Sequence, residues 1–254
     1  MKVAVFGDIH GNTLALAAVL ADAASIGVDA WWCLGDVAEL GYDPAGSLQR
    51  MTRLPDLVAV RGNADRLVVT ESATLLVGAL ALAGEDPVAA EQDLVYARGA
   101  AWTAGAVQAV GLRGWLAALP LEQRFTLPDG TRVLLVHASP GRDDGPGIRP
   151  GDDLTITSNR LSGADAELVI VGHTHLPFDF SVADVRVWNP GSVSNPVTAD
   201  KRAMWTLLEA DESGHGLTRR SVRYDMAAML AMLDRSGAPT RDLTRQFWTD
   251  EVGQ

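Results

Sequence analysis

The feature that most constrains this chain is a recurring one: a short apolar run stops at a polar tip and gives way to a helix-forming stretch. Val3-Ala4-Val5-Phe6 runs into Gly7-Asp8-Ile9-His10-Gly11-Asn12, and an Ala/Leu-rich segment from Thr13 to Ile26 follows, closed by Gly27. These are the signs of a buried strand and a capped helix. Ala30-Trp31-Trp32-Cys33-Leu34 repeats the pattern and ends in Gly35-Asp36. A third run, Asp56 to Arg61, ends in Gly62-Asn63-Ala64-Asp65, with helix-like Ala45 to Arg53 before it. Strand, tip, helix, strand, tip predicts βαβ units and an α/β fold with parallel neighbours.

From about Arg66 to Glu122 the rhythm breaks. The segment is rich in Ala and Leu, is punctuated at Gly84-Glu85-Asp86-Pro87, Gly99, Gly111 and Pro120, and reads as a helical insertion or cap. Rhythm returns with Arg132 to Val136, which ends in His137, and with Glu167 to Val171, which ends in Gly172-His173-Thr174-His175. Strand-like runs follow at Val185 to Trp188, Ala203 to Leu208 and Leu217 to Arg223. A C-terminal helix over about 225–235 carries one apolar stripe, Met226, Met229, Leu230 and Leu233, that reads as packing. The whole, 1–254, reads as a single domain.

Composition excludes some classes. At 47% hydrophobic residues the chain buries a sizeable core, and a formal charge of −11 argues against binding a nucleic-acid polymer. That charge leaves an anionic substrate possible, because bound cations reverse the local field of a small site. Cys33 is the only cysteine, which rules out an intrachain disulfide and a thiolate metal cluster and fits a cytoplasmic setting. No signal-peptide pattern follows Met1-Lys2, and the most apolar later segment, Ser72 to Gly84, is too short to span a bilayer.

Of the 5 histidines, His10, His137, His173 and His175 stand at or just past the end of an apolar run; His215 stands in a polar turn. Asp8, Asp36 and Asn63 occupy the same kind of position, so strand tips present seven nitrogen or oxygen ligands. Open α/β sheets bind ligands beyond the carboxyl ends of their strands. Asp8 and His10 lie two apart, and extended backbone would point both side chains one way. Seven ligands exceed the need of one tetrahedral zinc and suit two cations sharing a carboxylate. The mixed imidazole, carboxylate and amide set points to Mn, Fe, Zn, Ni or Co, with Mn favoured.

With these residues in hand, the chain resembles the calcineurin-like metallophosphoesterase superfamily, and within it the smaller prokaryotic phosphoesterases. The blocks Asp8-Ile9-His10, Gly35-Asp36, Gly62-Asn63-Ala64-Asp65, His137 and Gly172-His173-Thr174-His175 appear in the family's order, and Asn189-Pro190-Gly191-Ser192-Val193 matches the segment after the last strand of the site. The resemblance implies a four-layer αββα sandwich with a dinuclear centre at one edge. It implies Asp8, His10 and His175 on one metal, Asn63, His137 and His173 on the other, and Asp36 bridging, with Asp36, Asn63 and His173 catalytic. It further implies hydrolysis of small phosphorylated, nucleotide-like substrates by water activated between two cations. Dinucleoside polyphosphate or phosphoprotein hydrolysis on the same centre is the alternative, a non-catalytic scaffold the remoter one, and a homo-oligomer is compatible with the apolar insertion.

One block departs from the family. Many members carry His where this chain has Ala64, and Ala64 can neither contact a substrate oxygen nor protonate a leaving group. Other small prokaryotic members of the family that this chain resembles also lack that His and are more like phosphodiesterases than potent monoesterases, so the resemblance favours diesters. Asp65 is left to orient Asn63 or pair with Arg66. Asn12 either presents its amide to phosphate or caps the first helix. Ser139 and Arg142 are candidates for the pocket rim, although Ser139-Pro140-Gly141 also reads as a turn. In the insertion, Arg98, Trp102, Arg113 and Trp115 could stack on or pair with a nucleotide, with core packing the plainer reading of the tryptophans.

Overall fold

The computed structural model describes residues 1–71, 77, 78, 81 and 86–249. Two five-stranded mixed sheets run in the orders β10-β9-β1-β2-β3 and β4-β5-β6-β8-β7. In the first, β1 (Lys2–Phe6), β2 (Ala30–Cys33) and β3 (Leu57–Ala59) are parallel, and β9 (Ala203–Asp211) and β10 (Gly214–Val222) extend it antiparallel. In the second, β5 (Arg132–Val136), β6 (Leu168–Ile170) and β8 (Val185–Asn189) are parallel. Edge strands β4 (Glu122–Thr126) and β7 (Phe178–Val182) pair antiparallel to them.

The alternation of β1 explains the layering. Val3 and Val5 join Val133, Leu135, Leu168 and Ile170 between the sheets. Ala4 and Phe6 face the other way, into a cluster with Ala15, Leu16 and Val19 of α1 (Thr13–Ile26) and Leu48 and Met51 of α2 (Pro44–Met51). A strand buried on both faces must be apolar throughout, as β1 is. Trp32 and Phe125 stack across the inter-sheet core at 4.6 Å. Beyond the second sheet, Leu134, Val136 and Val169 pack against Ile148 and against Leu161 at the end of α6 (Leu154–Arg160). The result is helices, sheet, sheet, helix, the four layers expected.

Within 66–122 the described residues form the end of α3 (Asn63–Arg66), a π-helical turn (Leu67–Glu71), α4 (Pro87–Ala109) and α5 (Arg113–Ala117). The Asp86-Pro87 punctuation is the N-terminus of α4: the Asp86 carboxylate accepts the N–H groups of Val88 and Ala89. Trp115 packs against the core and Arg113 donates to the Val69 carbonyl. The segment 72–76, 79–80 and 82–85 lies outside the described residues.

Four elements escape the sequence reading. β4 is a polar, half-exposed edge strand, and β7 is an edge strand that alternates Phe178, Phe180 and Val182 with Asp179 and Ser181, so neither carries a continuous apolar run to announce it. Helix α6 is a short outer cover, and α8 (Arg241–Thr249) follows α7 (Met226–Arg235) near the end of the chain. The reading of His215 as a turn residue is corrected: β10 begins at Gly214, and the His215 ring reaches Asp129 at 2.7 Å. No helix among the described residues is long and apolar enough to cross a membrane.

Candidate metal centre

The carboxyl ends of β1, β2, β3, β5 and β6 lie along one edge, and their tips carry the ligands. Those tips are held in an unusual backbone: Asp8, His10, Asp36, His173 and His175 have φ of +54°, +47°, +52°, +65° and +57°. Non-glycine residues are uncommon there and cost of order 1–3 kcal/mol each, so the surroundings must enforce the conformation. They do so through cross-tip hydrogen bonds: Asp8 N–H donates to the Gly35 carbonyl, and His10 N–H to the Asp36 carbonyl, at 3.0 and 2.9 Å. Gly35 and Gly62 admit this crowding, since a Cβ on Gly35 would lie 2.4 Å from the Gly62 nitrogen. The expectation that extended alternation aligns Asp8 with His10 is thereby corrected. Left-handed backbone at both residues turns their side chains inward.

The structure brings all seven expected ligands together. One oxygen of Asp8 and one ring nitrogen each of His10 and His175 lie within 4.8 Å of one another, and so do ligand atoms of Asp8, Asp36 and His137. Asp36 Oδ2 is 3.3 Å from His137 Nε2 and 3.8 Å from His10 Nε2, so it reaches both groups. The Asn63 amide oxygen faces His137 Nε2 at 3.1 Å and His173 Nδ1 at 2.9 Å.

Each imidazole has its other nitrogen tied to a backbone carbonyl. His10, His137 and His175 donate through Nδ1–H to Glu39, Leu34 and Asn195 at 3.0, 2.6 and 2.7 Å, and His173 through Nε2–H to Gly145 at 2.7 Å. Such bonds fix the tautomer and aim the remaining lone pair at the centre, the arrangement metal-bound histidines adopt. The Asp8 carboxylate supplies a second sign. It is wholly buried and its Oδ2 has no hydrogen-bond partner, a costly state that a cation relieves. The Asn63 amide supplies a third. Without a cation, the reversed amide would donate to His173 Nδ1 and to the Asp143 carbonyl; with one, the oxygen belongs inward.

Burial pushes His10 and His175 down to about 4, so both are neutral at pH 7 and free to coordinate. Burial also raises Asp8. For Asp36, burial opposes ionisation, yet the neighbouring His137 outweighs it and holds the carboxyl below the usual range. The same pairing overcomes burial at His137 and raises it to about 10. A proton on His137 thus balances Asp36 where a divalent cation would displace it.

Asp65 is the residue the sequence undervalued. Its buried carboxylate accepts the N–H groups of Asp36, Val37 and Gly62 at 2.8, 2.9 and 3.0 Å, locking the tip of β2 to the tip of β3. The signal was an acid at the third position of a helix start. Asn189 plays a similar part below the His173–His175 turn, donating to the Gly172 carbonyl at 2.7 Å.

The three substrate candidates fare differently. Asn12 is buried, its Oδ1 caps α1 through Ala15 N–H and its Nδ2 donates to Ser194, so the amide is committed to the fold and the phosphate-contact expectation is replaced by capping. Ser139 and Arg142 form a tight turn with mutual backbone hydrogen bonds, and the Arg142 guanidinium reaches solvent beside Asp144. Neither lines the cleft over the ligands. That cleft, about 410 Å³, is walled instead by Glu39, Leu40, Leu67, Tyr96, Arg149, Val197 and Phe247, which no motif announced. A larger cleft of about 520 Å³ between residues 199–202 and 223–226 contains none of the ligands, so the chemistry belongs to the smaller one.

Comparison with known proteins identifies the fold and the family. An uncharacterized protein of Methanocaldococcus jannaschii, MJ0912, is 25% identical over 242 residues, 88% of each chain. The solved structure of a metallophosphoesterase from Sphaerobacter thermophilus matches 97% of this chain and 98% of that one, with a TM-score of 0.73 and 26% identity. Hypothetical protein PH1004 from Pyrococcus horikoshii OT3 shares the fold at a TM-score of 0.80 and 18% identity, over 97% of both chains. The family model of the calcineurin-like phosphoesterase superfamily domain matches residues 1–213, and the chain therefore belongs to that superfamily.

Proposed function

We propose that this protein is a dinuclear metal-dependent phosphoesterase that hydrolyses phosphodiester bonds of small molecules, with Mn as the favoured metal. The observation that carries the reading is the position of Asp36, whose carboxylate lies within 3.8 Å of both His10 and His137 and so stands between two nitrogen-rich groups. Two divalent cations bound there supply Lewis acidity toward phosphoryl oxygens and a nucleophilic water at neutral pH.

The chain's own residues do the rest. Asp8, His10 and His175 hold one ion, Asn63, His137 and His173 the other. Two carboxylates offset only half the charge of two divalent ions, so the centre stays positive and attracts phosphate despite the acidic surface. Among the described residues Arg149 is the one Lys or Arg lining this cleft, and its Nε donates to the Pro146 carbonyl at 3.2 Å, leaving its terminal nitrogens to meet a phosphoryl oxygen. Ala64 sits in the cleft without a proton to give, and its N–H is taken by Asp36 at 2.9 Å. Substrates with good leaving groups, and diesters whose single charge suits one cationic side chain, fit this inventory.

The test is metal analysis followed by hydrolysis of bis(p-nitrophenyl) phosphate and p-nitrophenyl phosphate with added Mn. The expected result is two bound ions per chain and faster turnover of the diester. A protein that binds no metal and turns over neither compound is not this enzyme.

A further inference from the structure

We propose that Tyr96 and Phe247 form a subsite beside the metal centre for a planar aromatic group of the substrate; this rests on the phosphoesterase reading above. Both residues line the ligand-bearing cleft, and both come from outside the metal-ligand tips: Tyr96 from α4, Phe247 from α8. Helix α8 also lies beyond the 213 residues the family model matches. Neither residue belongs to the motifs that build the centre.

Their placement is fixed. The Phe247 ring lies 6.3 Å from the His175 ring, inclined by 31°, so an apolar face begins where the metal ligands end. Helix α8 is pinned at this point by Thr244, which donates to the Leu40 carbonyl at 2.6 Å, and by Lys201, which donates to the Phe247 carbonyl at 2.8 Å. Trp248 donates to the Tyr224 hydroxyl on its other side at 2.9 Å. A Cβ on Gly99 of α4 would lie 2.4 Å from Thr240, the residue before α8, and 2.7 Å from Glu39, so α4 runs close to the start of α8 about one turn beyond Tyr96.

Tyr96 is 36% exposed, and it is the only aromatic among the large side chains left exposed in the described residues. An open tyrosine and a half-buried phenylalanine on the rim of a cationic centre give a surface on which flat π-systems stack, with little preference among them. Aliphatic esters gain less from such rings. The occupant is therefore the organic part of the phosphoester, a nucleobase or an aryl group.

Calorimetric titration of the manganese-loaded protein with phenylphosphonate and methylphosphonate tests this, because neither is an ester and neither can be hydrolysed. The phenyl compound should bind about tenfold tighter. Phe247→Leu, which keeps apolar bulk, and Tyr96→Ala, which removes an open side chain, should each shrink that preference at least threefold and leave methylphosphonate binding unchanged. Adding the methylenephosphonate analogue of AMP names the source: tighter than phenyl means a base, weaker means a smaller aryl group. Equal affinity for phenyl- and methylphosphonate, or a preference that survives both variants, overturns the subsite and leaves the hydrolase reading intact. Failure of both phosphonates to bind the wild type removes the subsite together with the reading beneath it.

Discussion

The Asp65 carboxylate grips Asp36 by its backbone, accepting its N–H at 2.8 Å while also accepting those of Val37 and Gly62. Asp36 is the residue on which both ligand groups depend, and its left-handed φ of +52° needs outside support. Burial, with the charge of Asp36 beside it, raises Asp65 to about 7, while the Gly62 and Val37 N–H groups pull the other way and favour the charged form. Asp65→Ala leaves three buried N–H groups unpaired and should cost about 3 kcal/mol or more. Asp65→Asn keeps the shape and should lower metal affinity about 10- to 100-fold, as the loss of an outer support does. Metal content after dialysis and the thermal midpoint read the two effects separately; unchanged affinity in the Asn variant would dismiss the positioning role.

Ala64 is 5% exposed and lines the cleft, so a larger side chain there would meet substrate. General acid catalysis is worth about 10² to 10⁴ in rate, and without it turnover should climb steeply as the leaving group becomes more acidic. Ala64→His should flatten that slope and raise activity on alkyl monoesters about tenfold, provided its ring finds a proton partner. Asp65 is already engaged with backbone, so the gain should fall below the upper range. A series of aryl phosphodiesters of graded leaving-group pKa gives the slope. A flat wild-type series would contradict the missing acid.

How far the sequence reached depended on the kind of signal each residue gives. β1, β2, β5 and β6 were readable because a strand buried on both faces has to be apolar along its whole length, and the candidate ligands, which the fold gathers at one edge, stood out because chemistry limits which side chains bind cations. Glu122–Thr126 was unreadable for the opposite reason: an edge strand has one wet side and carries Glu, Gln and Arg. The left-handed turns at Asp8 and His10 give no compositional warning, since sterics there ordinarily call for glycine. Phe247 and Tyr96 were invisible because they reach the cleft only through the packing of α4 and α8, a tertiary fact that periodicity does not encode. Of the insertion's stacking candidates, Trp115 packs against the core, the plainer of its two readings, and Arg113 donates to the Val69 carbonyl.

Asn12 offers a clean separation of structure from catalysis. Its Oδ1 accepts from Ala15 N–H at 3.0 Å and its Nδ2 donates to Ser194 at 3.1 Å, both in the interior. Asn12→Ala should destabilise the fold by about 1 kcal/mol, the usual worth of an N-cap. Asn12→Asp keeps the cap acceptor and should recover most of it. KM for a chromogenic diester should hold within twofold in both. A KM rise with stability unchanged would return Asn12 to the substrate site.

Asp129 and His215 couple the two sheets far along the chain, joining the hairpin loop before β5 to the start of β10 at 2.7 Å. The hydrogen bond from His215 is the main reason Asp129 is held down to about 2, against its ordinary 3.8, with Thr131 N–H assisting. A carboxyl depressed on folding stabilises the native state above its unfolded pKa and loses that contribution as pH falls through the folded one. The stabilisation should therefore be complete above about pH 4 and disappear toward pH 2. Asp129→Asn removes the titration, so its stability curve should run flatter than wild type across that window while lying below it at neutral pH. Urea midpoints at half-unit steps from pH 5 to 2 measure the two slopes. Parallel curves would mean that the pair is too open to solvent to contribute.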